Sequence, residues 1–116
     1  MEIKRLHTGA RLSEVAIHNN TVYLAGQVAA ATGQDAAGQT REVLAHVERL
    51  LNEAGSDKTC ILFCQIYLAD LADFAAMNAV WDEWVAPGHT PPRATVQAQL
   101  ADPAWRVEIV VTAAQR

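Results

Sequence analysis

The segment from Asp35 to Ala54 carries a single apolar stripe, and this stripe restricts the fold more than any other feature of the sequence. Its apolar residues recur at intervals of three, four and one, the spacing of one helix face, and they are Val43, Val47, Leu50, Leu51 and Ala54. Gly55 follows where helices commonly end in a left-handed residue. Because a helix with one apolar face has to bury it, the rest of the chain must supply a covering surface.

Short runs rich in β-branched and aromatic residues predict that this surface is a β-sheet. The runs are residues 3–6, 14–18, 21–28, 61–68, 94–100 and 105–113. We expect the first to be an edge strand and 61–68 to be a central strand. Asn19 and Asn20 separate the second run from the third, and both tolerate positive φ in a tight hairpin turn.

A second helix is predicted between Asp73, a candidate N-cap, and the break at Pro87-Gly88. Its apolar positions follow the spacing that lays one face on a sheet, and they are Phe74, Met77, Trp81 and Trp84. We interpret the two tryptophans as core or interface residues, since this spacing needs no cofactor to explain it.

The order of these elements predicts an α+β fold, in which a single mixed sheet carries two helices packed on one face. At 116 residues the whole chain, 1–116, is expected to form one domain. The other face of the sheet needs a cover, and self-association is the economical one.

Composition excludes several classes of partner. Hydrophobic residues make up 51% of the chain and charged residues 19%, which favours a packed globule over disorder. The net charge of −4 and the pI near 5.4 disfavour nucleic acid as a partner, because non-specific binding to phosphates needs a basic surface. Residues 1–11 hold no apolar stretch long enough for a signal peptide or a membrane span, so we expect a cytoplasmic protein.

The cysteines and histidines do not predict a metal site. Cys60 and Cys64 are spaced C-x-x-x-C, which matches neither a redox motif nor a zinc pair, and no second pair accompanies them. We expect two reduced, mostly buried thiols. Each histidine stands alone, without a neighbour at ligand spacing.

Arg93 and Glu108 are the main candidates for chemistry. Arg93 directly follows Pro91-Pro92, which stiffens its approach, and its planar fork can hold a carboxylate through two hydrogen bonds. Glu108 is a lone carboxylate in an apolar strand and could move the proton of a water molecule. Pattern alone also allows Arg93 to be an ordinary ion-pair residue, Glu108 to be a solvated side chain, and Asn78 to be an exposed amide.

Several motifs resemble those of one protein family. Residues 90–96, Thr-Pro-Pro-Arg-Ala-Thr-Val, followed by Val107-Glu108-Ile109, are similar to the carboxy-terminal signature of the RidA/YjgF family. Further landmarks agree in order and spacing, so that the resemblance covers essentially the whole chain: Ala25-Gly26-Gln27, Leu68-Ala69-Asp70, Asp73-Phe74 and Met77-Asn78. Within the family the chain looks most like the branch of bacterial YoaB proteins, on the basis of residues 17–20, 78–81 and 96–97.

This resemblance implies a chorismate-mutase-like fold, assembled as a homotrimer with clefts between subunits. It implies hydrolysis of reactive 2-imino acids or enamines to 2-keto acids and ammonia, without a cofactor. Arg93 matches the residue that grips the substrate carboxylate, and Glu108 matches the residue that positions water and helps the nitrogen leave. Gly26 and Thr95 match positions lining the pocket, and Asn78 matches its margin.

Three positions depart from the characterised deaminases of the family. Leu12 replaces a tyrosine, Ala25 a serine and Thr95 a cysteine. Two hydrogen-bonding groups are lost, which predicts roughly tenfold or more weaker binding of a standard substrate and suggests a different or bulkier one.

Two alternatives accompany this function. The protein could be a non-catalytic trimeric module that binds a small carboxylate, such as a keto acid, as a sensor or store. It could also be an endoribonuclease, as some family members are labelled, although the acidic pI opposes this.

The spacing of the last two strands raises a geometric problem. Paired as a simple hairpin, they would place Gln97 opposite Glu108 and leave Arg93 about 13 Å away along the strand, too far for one small imine. Either these strands do not pair in this way, or Arg93 and Glu108 meet across a subunit boundary, and we hypothesise the second.

Overall fold

The computed structural model describes residues 2–116, which form one mixed six-stranded sheet with two helices on one face, as the order of elements predicts. The strands are β1 (Lys4–Thr8), β2 (Ser13–His18), β3 (Thr21–Leu24), β4 (Ile61–Leu68), β5 (Arg93–Gln97) and β6 (Val107–Ala114). The helices are α1 (Ala36–Glu53) and α2 (Phe74–Trp84). Strand β3 ends earlier than predicted, because beyond Leu24 only a single bridge, from Gln27 to Ile109, continues the pairing. Strand β5 also ends earlier, at Gln97, which pairs with the last residue of β4.

The last two strands do not pair as a hairpin, which is the first of the two alternatives that their spacing left open. The strand order is β1-β2-β3-β6-β4-β5, so β4 separates β5 from β6. Strand β5 pairs with β4 in parallel, as expected after a helical crossover, while β6 pairs antiparallel with β3 and β4. The physical reason lies in burial: β6 is apolar and buried at alternate positions and gains partners on both sides, whereas the polar β5 suits an edge. Strand β1 lies at the other edge and β4 in the interior, both as predicted.

Local signals set most of the element boundaries. Asn19 and Asn20 have φ of 52° and 61° in the β2–β3 turn, as their tolerance of positive φ predicts. The Asp35 carboxylate caps α1 by accepting from Gly38 N, and Gly55 follows the helix with φ +78°. Asp73 occupies the N-cap position of α2 as predicted, but its side chain makes no cap hydrogen bond and instead pairs with Arg106 at 3.6 Å.

The core lies between the two helices and one face of the sheet. Helix α1 buries its predicted stripe there, and α2 buries Met77, Val80 and Trp81. Phe74, predicted to lie on the buried face of α2, is 42% exposed, because it opens the first turn and the buried face runs from Met77 onward. No helix within residues 2–116 is both long and apolar enough to cross a membrane.

The opposite face of the sheet carries no helix, and we call it the open face. Residues that are paired in register on neighbouring strands point to the same face of the sheet. Thr112 is paired with Tyr23 and Phe63, and Val110 is paired with Gln65, so all five lie on the open face. Tyr23, Phe63 and Val96 are between 41% and 50% exposed. The open face is therefore partly apolar and uncovered in the single chain.

Candidate active site

Arg93 begins the edge strand β5 and points to the helix side of the sheet. It pairs in register with Cys64, a core residue, and its guanidinium carbon lies 5.1 Å from the centre of the Trp81 ring. Every other arginine of the chain is exposed, whereas Arg93 is half-buried. Among residues 2–116 no carboxylate lies within ion-pair distance of it and no group accepts a hydrogen bond from it. Its charge and its donors are thus available to a ligand.

Two polar side chains flank this arginine. Thr95 lies two residues further along the same face of β5, and Asn78 lies one turn before Trp81 on α2. Thr95 Oγ1 and Asn78 Oδ1 are buried and have no hydrogen-bond partner among residues 2–116. Because an unsatisfied buried polar atom costs about 1–3 kcal/mol, each of these atoms has room for a partner that a bound ligand or a water molecule can supply.

The Cys64 thiol next to Arg93 is not its counter-ion. Burial raises the pKa of this thiol to about 12, and the nearby Arg93 charge only partly opposes that shift. Cys64 is therefore neutral near pH 7. Cys60 is partly exposed, so the expectation of mostly buried thiols holds fully for Cys64 alone. No group of three potential metal ligands occurs within residues 2–116.

Glu108 lies on the open face, in β6 opposite Tyr67 of β4. It borders a cleft of about 310 Å³ together with Tyr67, Val110 and residues 98–101. Gly26 packs directly against it, since a Cβ added at this glycine would lie 2.1 Å from Glu108 Oε2. The structure thus brings Gly26 and Glu108 together.

The remaining two candidate residues lie toward the same end of the β2–β3 hairpin. Ala25 directly precedes Gly26, and its backbone N–H donates to the Glu14 carbonyl at 2.9 Å. Its carbonyl accepts from Gln27 Nε2 at 3.0 Å, and the same nitrogen donates to the Glu14 carboxylate at 3.0 Å. Leu12 lies two residues before Glu14 and is 56% exposed. Residues 25–27 are thus fixed by hydrogen bonds, whereas the Leu12 side chain is uncovered.

A single chain does not bring Arg93 and Glu108 together. Their partners in β4 are Cys64 and Tyr67, three residues apart, and the two strands lie on opposite sides of β4. These offsets separate the two Cα atoms by roughly 14 Å. The side chains also lie on opposite faces of the sheet, so one small imine cannot contact both within one subunit.

The loop between β5 and β6 is held by a residue that the sequence did not single out. Gln39 of α1 is fully buried, and its side chain accepts from Arg106 N at 2.8 Å and donates to the Ala104 carbonyl at 3.0 Å. Residues 98–101 of this loop line the Glu108 cleft and also a larger cleft of about 470 Å³. A glutamine in a helix is usually exposed, so pattern offered no signal for this role.

Comparison with known proteins places the chain in a family. The family model described as endoribonuclease L-PSP matches residues 2–115. The RutC family protein YoaB of Escherichia coli strain K12 is 49% identical over 114 residues, covering 98% of this chain and 99% of that protein. The crystal structure of a YjgF-family protein from Neisseria meningitidis superimposes with a TM-score of 0.97 at 50% identity, covering 100% of this chain and 97% of that one.

A more distant relative has a named activity. The 3-aminoacrylate deaminase RutC of Acinetobacter baylyi is 39% identical over 79 residues, which cover 68% of this chain and 62% of that protein. Three findings point to the same family: the signature around Arg93 and Glu108, the match over nearly the whole chain, and the shared fold. The chain belongs to the RidA/YjgF family, whose family model carries the endoribonuclease L-PSP description.

Proposed function

We propose that this protein hydrolyses reactive 2-imino acids or enamines to 2-keto acids and ammonia, in clefts between the subunits of a homotrimer. The observation that carries the proposal is the half-buried Arg93, held against Trp81 and without an ion-pair partner among residues 2–116. Such an arginine presents its fork to a carboxylate. The relative named 3-aminoacrylate deaminase supports the substrate class, because 3-aminoacrylate is an enamine that bears a carboxylate.

The positions of Arg93 and Glu108 support an intersubunit cleft. They lie on opposite faces of one sheet, so a ligand that contacts both has to meet Arg93 of one subunit and Glu108 of another. Strand β5 is an edge strand, which a neighbouring subunit can approach. Association would also cover the exposed apolar residues of the open face, among them Phe63 and Val96.

The reaction needs a carboxylate anchor and a group that transfers protons. Arg93 holds the substrate carboxylate while a water molecule, oriented by Glu108, attacks the imine carbon. The water oxygen forms a C–O bond, the C=N π electrons move to nitrogen, and Glu108 carries a proton from the water to that nitrogen. The hydroxyl group of the resulting carbinolamine then loses its proton, which Glu108 passes to the nitrogen, and the C=O bond forms as the C–N bond breaks, so that the products are ammonia and the keto acid. An enamine first gains a proton on carbon and loses one from nitrogen to become the imine.

The substrate is expected to be bulkier than those of the characterised deaminases. Leu12 and Ala25 replace a tyrosine and a serine, and Thr95 replaces a cysteine. The exposed Leu12 side chain offers apolar contact where a hydroxyl would offer a hydrogen bond. We therefore expect faster hydrolysis of imino acids with larger apolar side chains.

A non-catalytic carboxylate-binding module is the second candidate function, because Arg93 would serve it equally well. Glu108 discriminates between the two, since a second carboxylate in the cleft opposes binding of an anion unless it performs chemistry. Replacing Glu108 should abolish turnover in an enzyme and should leave or improve binding in a sensor.

The test measures keto-acid and ammonia release when the purified protein is added to an amino-acid oxidase that generates 2-imino acids in excess semicarbazide. Wild type should accelerate release, while Glu108→Gln and Arg93→Ala should not. Glu83→Gln, which alters an exposed glutamate of α2, is the matched control and should keep full activity. No acceleration with any of several side-chain classes, together with binding of pyruvate that Arg93→Ala removes, would favour the binding module.

A further inference from the structure

We infer that Trp81 is the positioning residue for Arg93: its ring holds the guanidinium in place and thereby sets the affinity for the substrate carboxylate. This inference rests on the proposed function, because it assigns to Trp81 a part in binding the same ligand. The sequence predicts only a core or interface role for this tryptophan, and the structure confirms that it is buried, at 6% exposure.

The contact between the two side chains has the geometry of a cation–π interaction. The guanidinium carbon of Arg93 lies 5.1 Å from the centre of the Trp81 ring, within the roughly 6 Å over which such contacts are significant. The ring is in the core and therefore has few alternative positions. A guanidinium that rests against an aromatic ring keeps its N–H donors for other partners.

An aromatic ring suits this task better than a carboxylate does. A carboxylate at the same place would accept the hydrogen bonds of Arg93 and cancel its charge, so it would compete with the substrate. Trp81 restrains the Arg93 side chain without accepting its hydrogen bonds or neutralising its charge. The neighbour of Arg93 on β4 is Cys64, whose thiol is neutral. Cys64 therefore does not compete with the substrate carboxylate for the Arg93 charge.

Trp84 lies one turn further along α2 than Trp81 and makes the same kind of contact with a different cation. The two ring centres are 5.6 Å apart and the planes are tilted by 47°. The indole nitrogen of Trp84 donates to Glu48 of α1 at 3.0 Å, and Lys58 lies over its ring at 5.3 Å. Trp84 thus has its own cation, which makes it a matched control on the same helix.

The first measurement needs no ligand. The side-chain Nε–H signal of Arg93, assigned by its loss in Arg93→Ala, should show restricted motion on the picosecond to nanosecond timescale and a ring-current shift in wild type. Trp81→Leu should lose both, Trp81→Phe should keep most of the order, and Trp84→Phe should leave the Arg93 signal unchanged. An Arg93 signal equally ordered in Trp81→Leu would overturn the inference.

The second measurement is titration with pyruvate as the probe. Trp81→Leu should weaken pyruvate binding by about 3- to 10-fold, whereas Trp81→Phe should stay within about twofold of wild type. Trp84→Phe should bind as wild type does. In the oxidase-coupled assay Trp81→Leu should raise KM by a similar factor with kcat nearly unchanged, because carboxylate binding is common to ground and transition states.

The outcomes distinguish this inference from the proposed function. Unchanged affinity in a folded Trp81→Leu variant, with binding lost in Arg93→Ala, would reject the role of Trp81 and leave the function standing. Binding that weakens in Trp81→Leu without any hydrolysis by wild type would support Trp81 and reject the enzyme. Failure of wild type both to bind pyruvate and to accelerate hydrolysis would reject the claim about affinity together with the function.

Discussion

Gly26 and Glu108 are in such close contact that only a hydrogen atom fits on the Cα of residue 26. A Cβ built there would lie 2.1 Å from Oε2 and 3.2 Å from Cγ of Glu108. The obstructing atoms belong to the end of a flexible side chain and not to backbone. An added methyl group would therefore displace the carboxylate and leave the strands in place.

Gly26→Ala should consequently reduce turnover far more than stability. Misplacing a reacting group by about 1 Å costs on the order of 100-fold in rate, so we expect kcat/KM to fall by about that factor. The thermal midpoint should shift by only a few degrees. Both quantities can be measured on one preparation, using the oxidase-coupled assay and circular dichroism.

Gly33→Ala is the control for this substitution, since nothing lies within 4 Å of a Cβ at that position. It should leave both the rate and the midpoint near wild type. Full activity of Gly26→Ala would show that the position of the Glu108 carboxylate is not critical.

Local patterns predicted the helices and strands, whereas the pairing of the strands required the structure. The stripe of α1 and the Asn19-Asn20 turn depend on neighbours in sequence, so periodicity and φ preference were sufficient. Strand order depends on which strand buries the most apolar surface and gains the most hydrogen bonds when it lies in the centre of the sheet. Burial of alternate residues of β6 decided this against the hairpin that proximity in sequence suggested.

The candidate site could be predicted only in part for the same reason. Motif resemblance identified Arg93 and Glu108 but not their placement on opposite faces of the sheet, which follows from the register on either side of β4. Spacing predicted that Trp81 is buried, but its contact with Arg93 joins α2 to β5 and has no signature within either element. Contacts between distant elements are what the sequence left open.

The two cysteines should differ in reactivity toward a thiol reagent. Burial raises the pKa of Cys64 to about 12, so it is almost fully protonated at pH 8, and its side chain is also inaccessible. Cys60 is partly exposed. We expect a chromogenic disulfide reagent to label one thiol per folded chain quickly and the second only after denaturation.

Cys60→Ser provides the control and should show almost no fast labelling in the folded protein. Rapid labelling of that variant would mean that Cys64 is accessible, in conflict with its position between β5 and β6 under the helices.

Glu42 should stabilise the folded protein in a pH-dependent way. Its carboxylate accepts from Ala30 N, Ala31 N and Gln34 Nε2 at 2.6, 3.2 and 2.9 Å, and it also bonds His46 at 2.9 Å. The bonds from Ala30, His46 and Ala31, of which that from Ala30 has the largest effect, lower the pKa of Glu42 from 4.5 to about 2. Because the folded pKa is the lower one, the stabilisation is complete above about pH 4.5 and is lost as the pH falls toward 2.

Glu42→Gln should therefore have a lower thermal midpoint than wild type at pH 6, and the difference should shrink progressively between pH 4.5 and 2. Midpoints from circular dichroism across this range would test it. Glu83→Gln, whose glutamate is exposed, should show no comparable trend. A constant difference between Glu42→Gln and wild type at all pH values would contradict the assignment.

Gln39 should contribute more to stability than an ordinary buried polar residue. Its side chain accepts from Arg106 N and donates to the Ala104 carbonyl. Gln39→Leu keeps a similar volume but leaves these backbone groups without a partner, at about 1–3 kcal/mol for each one that stays buried. We expect the free energy of unfolding, from urea titration, to fall by about 2–4 kcal/mol.

The adjacent Thr40 serves as a control for Gln39. It tests whether the loss of unfolding free energy comes from the hydrogen bonds that Gln39 makes to the β5–β6 loop or from burial of polar atoms in general. Thr40 is equally buried, but its hydroxyl donates only to the Ala36 carbonyl within the same helix, at 2.7 Å. Thr40→Val should cost about 1 kcal/mol or less, since that carbonyl also accepts the N–H of residue 40 in the helix. Equal losses in the two variants would argue that Gln39 does not hold the β5–β6 loop in place. A larger loss in Gln39→Leu, accompanied by a change in turnover, would connect that loop to the cleft around Glu108.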